Sequence, residues 1–543
     1  MTRRSRLVGT LLAVLSLLLF WATVVSVPEN WTVGRAAAPW TDGAEYLDGA
    51  VLLARSGEHG IHVAGTTHPS RYPIGFSLIG AALIQLNVEP AWALHRANQL
   101  GGLALLLWTV AFWWRRIGPV AAGLAALLLA SLPAFIILCR SPLSEIWGTT
   151  LAVAGIWWLY AWAGGGSRVQ GARGVVLLAG SLWFRTSNLL LLVLFGIVAV
   201  IARHGSSWRD LTQADHKEKL VDLAWLSGAG ILVLAPLWLQ NWRTLGHPLT
   251  SGYEYWAPYW NWARAFDLKF VTPNLGYYAR ELVQSEVLFT TANLYGHGSY
   301  VGPAWALLTV GAVFGLRLSG RLVWFALAAG CYFATMTAYF FPDARLLFPL
   351  LVLAAPASST GWLGLWRRAR TRRQESRRRT MPRLVASLTT GLVAAAVLGW
   401  PAPGNTTFET LRFGAESPPG SSAAYRVTRQ LDRIQDPGLR LVLTDAPPPY
   451  VHALMPPDTW VAPLTDEHLF RFNPEVFVFG VPERRQLVSK ALGEGRSVWA
   501  LMHAVDVRMV AEMSPPPEGY SWEIVTEDGP TEGGIARLVA DGR

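Results

Sequence analysis

Between Trp40 and Gly57 the chain reads Trp-Thr-Asp-Gly-Ala-Glu-Tyr-Leu-Asp-Gly-Ala-Val-Leu-Leu-Ala-Arg-Ser-Gly, and two of its carboxylates are spaced for chemistry. Thr41 can cap a helix whose first turn carries Asp42 and Glu45. Asp42, Glu45 and Tyr46 fall at i, i+3 and i+4, on one face of that helix. Leu47, Ala50, Val51 and Ala54 form an apolar face, and Gly57 stops the helix. Two readings fit the spacing equally. The helix could lie in a membrane surface and turn both carboxylates into a cavity, one of them acting as a general base. Alternatively, Asp42 and Glu45 only cap and solubilise an interfacial helix.

A second set of residues is suited to grip an anion. Arg71, Arg96, Arg140, Arg185 and Arg345 all fall at expected helix ends or breaks. A guanidinium holds phosphate bidentately. A charge at the bilayer centre costs about 2.5–3.5 kcal/mol, so five such arginines point to a task. The competing reading is snorkelling, or pairing with acids such as Glu145 and Asp343. Phosphate binding is favoured for Arg71, Arg185 and Arg345, and the two readings balance for Arg96 and Arg140. His59, His62, His95, His247 and His297 read as ordinary loop residues, and His68 has the best motif support. Cys139 and Cys331 sit in apolar runs as packing. Trp256, Tyr259, Trp260 and Trp262 read as an interfacial aromatic belt. Asp445, His452 and His503 form no recognisable spacing.

The elements that must position these residues follow from composition. Of 543 residues, 52% are hydrophobic and only 15% charged, against about 25% charged in soluble domains. The 27 tryptophans suit membrane–water interfaces, and two cysteines exclude a disulfide scaffold or a cysteine-based zinc module. Apolar runs near 7–27, 93–114, 118–138, 143–163, 221–241, 301–317, 322–341, 346–365 and 383–400 are long enough to span a bilayer. The run 174–202 is broken by Phe184-Arg185-Thr186-Ser187-Asn188 and reads as two short helices meeting at a polar break. Residues 74–86 are apolar but short, and are placed in the interface.

Eleven spans then result, with the N-terminus inside and the C-terminus outside. This places 22 of the 33 basic residues of 1–401 in short cytoplasmic segments, as the positive-inside rule requires. The arginine-rich 367–379 block lies between two spans, so it reads as a lipid-facing loop rather than a nucleic-acid site. External loops fall at about 28–92 and 242–300. Residues 402–422 are a Pro-, Gly- and Ser-rich linker, and 423–543 a small external α/β domain. Its expected pieces are helices at 423–434 and 484–492 and strands at 439–444, 475–481 and 497–503. The fold class is therefore an α-helical polytopic membrane protein with interfacial helices in the first external loop and a small C-terminal α/β domain.

In order along the chain, the motifs resemble the GT-C class of polyprenyl-phosphate-sugar glycosyltransferases, particularly the protein O-mannosyltransferases and the bacterial lipid A aminoarabinose and core-sugar transferases. Asp42-x-x-x-Tyr46, followed by the Ala/Leu-rich turn to Gly57, resembles that class's first-loop signature. His68-Pro-Ser-Arg-Tyr-Pro-Ile-Gly-Phe76 resembles the segment opening the second interfacial helix. Arg140-Ser-Pro-Leu-Ser-Glu145 resembles the turn between the third and fourth spans. Arg185-Thr-Ser-Asn188 matches the later break, with Thr in place of Pro. Asn241-Trp-Arg-Thr-Leu-Gly-His-Pro-Leu249 is similar to the opening of the late external loop, and Asp343-Ala-Arg345 precedes the tenth span. The resemblance covers roughly 1–400.

It implies a GT-C-like fold and transfer of a sugar, with inversion, from a polyprenyl-phosphate donor to a cell-envelope glycan, lipid or protein on the outer face of the cytoplasmic membrane. It implies Asp42 as the catalytic residue with Glu45 in support. Tyr46, His68, Arg71, Tyr72, Arg96, Arg140, Glu145, Arg185, Asn241 and Arg345 would bind substrate or phosphate. Metal-using relatives often carry adjacent acids in this loop, whereas Asp42 and Glu45 are three apart. No metal ligands are therefore assigned, and a divalent cation stays open as a cofactor. Two rival functions remain. A lipid-linked-sugar flippase predicts internal repeats and midplane charges, which are not evident. A non-catalytic envelope scaffold would bind partners through the tail.

Overall fold

A computed structural model of the chain describes residues 3–26, 42–205, 216–256, 265–283, 321–375 except 341, a few positions between 427 and 434, and 438–542 except 465–478, 503–505 and 530–532. The expected spans at 301–317 and 383–400, the linker, and Tyr259, Trp260, Trp262, His297 and His503 lie outside the described residues. So do most of the expected helix at 423–434 and most of the expected strand at 475–481.

The other nine expected spans fall on helices. These are α1 (Arg3–Phe20), α4 (Pro90–Trp113), α5 (Pro119–Ala130) continued by α6 (Pro133–Arg140), α7 (Glu145–Ala163), α8 (Arg168–Gly180), α9 (Asn188–His204), α10 (His216–Leu245), α13 (Arg321–Thr337) and α14 (Phe348–Glu375). Among the described residues, 3–25, 217–245 and 345–365 are long and apolar enough to cross a membrane alone, and α5 with α6 makes a fourth if taken as one bent span. The bend falls at Pro133, which supplies no backbone N–H and fixes its own φ. The run 174–202 does divide, with α8 and a short 3-10 turn at Ser181–Trp183 on one side of the polar break and α9 on the other. Residues 75–85 form the short helix α3 (Gly75–Gln85), and the short helices α11 (Gly252–Trp256) and α12 (Val271–Val283) follow α10.

The first loop departs from expectation. Its helix α2 (Asp42–Ser56) is not amphipathic in its setting, because every residue from Gly43 to Leu52 is buried. Of the two carboxylates expected to turn into a cavity, Asp42 stays partly open and Glu45 is enclosed by protein. On one side Gly80 of α3 lets Ala50 approach so closely that a Cβ on Gly80 would come within 2.9 Å of it. On the other side lies the tail.

The tail forms a five-stranded mixed sheet in the order β4-β3-β5-β7-β6, made of β3 (Arg440–Thr444), β4 (Thr459–Pro463), β5 (Ser497–Met502), β6 (Tyr520–Gly529) and β7 (Gly533–Ala540). β3 runs parallel to both β4 and β5, and β7 is antiparallel to β5 and β6. Helix α15 (Pro448–Leu454) connects β3 to β4, and α16 (Val481–Gly493) precedes β5. Strands β4, β6 and β7 went unread in the sequence. One sheet face and α15 share a single apolar cluster with α2, in which Val442, Tyr450, Val451 and Val461 pack with Ala44, Leu47, Ala50 and Val51. The hairpin β1 (Ile61–Val63) and β2 (Thr66–His68) turns at Ala64-Gly65, both with positive φ (53° and 82°). The Ala64 N–H donates to the Val461 carbonyl of β4 at 2.8 Å.

Candidate active site

The start of α2 carries Asp42, whose side chain is 26% exposed. The Tyr72 hydroxyl donates to Asp42 Oδ1 at 2.6 Å. Arg345 NH1 lies 3.5 Å from Asp42 Oδ2 and 3.3 Å from Glu145 Oε1, so one guanidinium joins acids from two helices. Arg345 is itself aimed by Asp343. Asp343 caps the 3-10 turn Ala344–Leu347 by accepting the Arg345 backbone N–H at 2.9 Å, and also accepts from Arg345 Nε at 2.6 Å. Arg185, from the polar break ahead of α9, forms an ion pair with Glu145 at the start of α7. Tyr46, one turn along α2, shares a 2.8 Å hydrogen bond with Ser144.

Glu145 is presented by a braced turn. His95 Nδ1 donates to the Arg140 carbonyl at 2.8 Å. Asn98 Nδ2 donates to the carbonyls of Ser141 and Leu143 at 2.5 and 2.6 Å. Both side chains come from α4 at spacing i, i+3, which puts them on one face.

Helix geometry explains how neighbouring residues of α2 reach different partners. At about 100° per residue, Tyr46 lies about 40° to one side of Asp42, while Glu45 and Asp48 lie about 60° and 120° to the other. Tyr46 therefore meets the Ser144–Glu145 turn. Glu45 meets Arg71, which donates Nε to Glu45 Oε1 at 2.7 Å, and Asp48 meets His452 of α15. Glu45 is 1% exposed, so it is not the second cavity-facing carboxylate that the sequence suggested. Burial lowers the Arg71 pKa, but the Glu45 carboxylate, with Tyr72 and Tyr253 adding to it, pushes Arg71 above the usual guanidinium range. Burial, then the Asp42 carboxylate, pushes the Tyr72 hydroxyl well above its ordinary value, so it stays protonated and donates to Asp42. Burial and Glu145 act the same way on Tyr46.

Of the residues singled out in the sequence, the structure brings together Asp42, Tyr46, Tyr72, Glu145, Arg185 and Arg345. Glu45 and Arg71 form an adjoining pair. Arg140 is buried at the end of α6, behind the braced turn. Arg96 donates to Gln99 at 2.9 Å. His68 bonds Thr66 at 2.9 Å and packs against Trp256, with ring centroids 5.5 Å apart. Asn241 donates to the Pro248 carbonyl at 3.3 Å. Ser144, Asn98, the Asp48–His452 pair and Tyr253, whose ring meets that of Tyr72 edge-on with centroids 5.5 Å apart, were not assigned from sequence. Asp48 could have been noticed as the third acid at spacing three after Asp42 and Glu45. Among the described residues, no three His, Cys, Asp or Glu side chains are grouped as a metal ion would require.

Among the described residues, three helices are long and apolar enough to cross a membrane, which makes this a membrane protein. The acid–arginine cluster gathers at the starts of its helices. No protein-family model and no curated protein sequence matches the chain. Solved structures do match it. ArnT from Cupriavidus metallidurans, bound to undecaprenyl phosphate, superposes with a TM-score of 0.62 at 14% identity, covering 98% of each chain. The archaeal oligosaccharyltransferase AglB from Archaeoglobus fulgidus, in complex with an inhibitory peptide and a dolichol-phosphate, matches 98% of this chain and 74% of its own. Its TM-score is 0.56 at 12% identity. The chain thus has a GT-C-like fold, and the likeness runs past residue 400, where the motif resemblance stops, to take in the tail.

Proposed function

We propose that this chain is an inverting glycosyltransferase that moves a sugar from a polyprenyl-phosphate donor to a hydroxyl of a lipid, glycan or protein acceptor on the outer face of the cytoplasmic membrane. One observation carries the reading. A partly open carboxylate, Asp42, shares Arg345 with Glu145, which also holds Arg185. A base and two cations therefore stand together at the end of a helical bundle.

In the reaction this implies, the acceptor oxygen attacks the anomeric carbon and the bond from that carbon to the phosphate oxygen breaks. The bonding pair leaves with the phosphate, and the acceptor proton passes to Asp42. Tyr72 keeps the Asp42 carboxylate oriented. Arg345 and Arg185 carry the charge that grows on the leaving phosphate, with Asp343 and Glu145 holding them in place beforehand. With an acceptor that is already anionic, Asp42 would orient it instead of deprotonating it. The undecaprenyl phosphate and dolichol-phosphate seen in the two similar structures support a lipid-phosphate donor, and the arginine distribution supports the outer face. The test is incubation of the purified protein with a panel of radiolabelled polyprenyl-phosphate sugars and envelope acceptors. Label transfer that requires Asp42 is expected. No transfer from any donor of the panel would overturn the reading.

A further inference from the structure

Asp48 lies six residues after Asp42 on α2 and is 0% exposed. A buried carboxylate is tolerated only where donors meet it, and here both donors come from beyond the helix. Asp48 Oδ1 is 2.5 Å from His452 Nδ1 of α15, itself 3% exposed. Asp48 Oδ2 accepts the His62 backbone N–H at 2.6 Å. The His62 ring stacks on His452, with centroids 4.6 Å apart and planes 26° from parallel. Further along α2, Arg55 donates to the Met455 carbonyl at 3.2 Å, just after α15. The hairpin that carries His62 also joins the tail through the Ala64–Val461 bond. Ala64 holds its positive φ there, a conformation that L-residues rarely adopt.

These contacts bear on Asp42 because α2 is short. Fifteen residues form a marginal helix in isolation, and its placement relative to Arg345 and Glu145 must be set by what it packs against. A rotation of α2 about its axis that separated Asp48 from His452 would also swing Asp42 away from Tyr72 and Arg345.

We infer that the C-terminal tail is a positioning element for the catalytic helix, and that His452, through its Nδ1 contact with Asp48, is the positioning residue that registers Asp42 against the arginines. This rests on the glycosyltransferase reading above. It extends that reading by giving the tail, which carries little obvious chemistry in the sequence, a part in turnover.

The contact uses Nδ1 and not Nε2, which allows an atom-specific test in the full-length protein. An asparagine at 452 places its amide nitrogen near the position of Nδ1, and a glutamine places it near that of Nε2. His452→Gln is expected to lose about tenfold or more in kcat at saturating donor while the donor KM stays unchanged, since misplacement by about 1 Å can cost as much as 10²-fold. His452→Asn is expected to recover most of that turnover. Hydrogen–deuterium exchange supplies a readout that needs no substrate. The amides of 42–52 should exchange faster in His452→Gln than in His452→Asn or wild type, with the β5–β7 amides unchanged in all three. Equal turnover and equal exchange in the two variants would overturn the proposal, as would a loss confined to KM. If wild type transfers no sugar, the glycosyltransferase reading fails, while the exchange comparison still decides whether His452 positions α2.

Discussion

Replacing Asp42 with Asn separates catalysis from folding, and the structure sets the size of each effect. The asparagine keeps an oxygen where Oδ1 accepts from Tyr72, so that buried hydroxyl stays satisfied. The charge that is lost faces Arg345 at 3.5 Å, between side chains 26% and 16% exposed. At an effective dielectric near 20, a full charge pair at that distance is worth about 5 kcal/mol. Partial exposure screens it, and Arg345 keeps Asp343 and Glu145, so the net loss should be about 1 kcal/mol. Removing a general base costs about 10²–10⁴-fold in turnover, or roughly 3–5 kcal/mol of transition-state stabilisation. Turnover should therefore fall by at least two decades while thermal melting in detergent shifts by only a few degrees. The assay is initial-rate transfer of label to a hydroxyl acceptor at saturating donor. A variant that melts like wild type and loses less than tenfold in transfer would refute the assignment of Asp42 as base.

Other consequences can be checked with similar means. Arg345→Gln should raise the donor KM and lower kcat together, with Arg345→Lys recovering only part, because an ammonium cannot bridge Asp42, Glu145 and Asp343 as a guanidinium does. Equal donor kinetics in Arg345→Gln and wild type would remove the phosphate role. Arg71→Met should act mainly on melting, lowering stability by about 3–5 kcal/mol, because it strands the buried Glu45; an intact melting curve would contradict this. Burial holds His59 and His62 at about 4, with His452 and His68 adding to the effect on His62. An unfolded histidine protonates near 6.5, so the unfolded chain binds more protons between those values, and stability should fall as pH drops from about 6.5 to 4. Melting that is flat from pH 7 to 4.5 would contradict that burial. For topology, a membrane-impermeant thiol reagent on intact cells should label Ser421→Cys and spare Ser376→Cys, and the reverse pattern would sink the eleven-span arrangement.

Much of this molecule was legible in one dimension because its determinants are local. Hydropathy over 17–25 residues needs no tertiary information, so nine expected spans fall on helices, and Phe184–Asn188 reads as a break because a charged, hydroxyl-rich stretch cannot sit in lipid unpaired. The helix start at Asp42 was legible because a capping residue followed by an apolar stripe is a local signal. Pairing was not. The i, i+3, i+6 spacing of Asp42, Glu45 and Asp48 fans three carboxylates over about 120° of one helix. Which cation meets each of them depends on where Arg345, Arg71 and His452 return in space, and His452 lies 404 residues away from its partner. For the same reason α2 read as amphipathic and is in fact enclosed. Its polar side is closed by Arg71, Tyr72 and the Ser144–Glu145 turn and its apolar side by the tail sheet and α15, and no window of residues around α2 carries that information. Spacing along a helix sets the directions in which side chains leave it, and the packing of distant elements decides what each one meets.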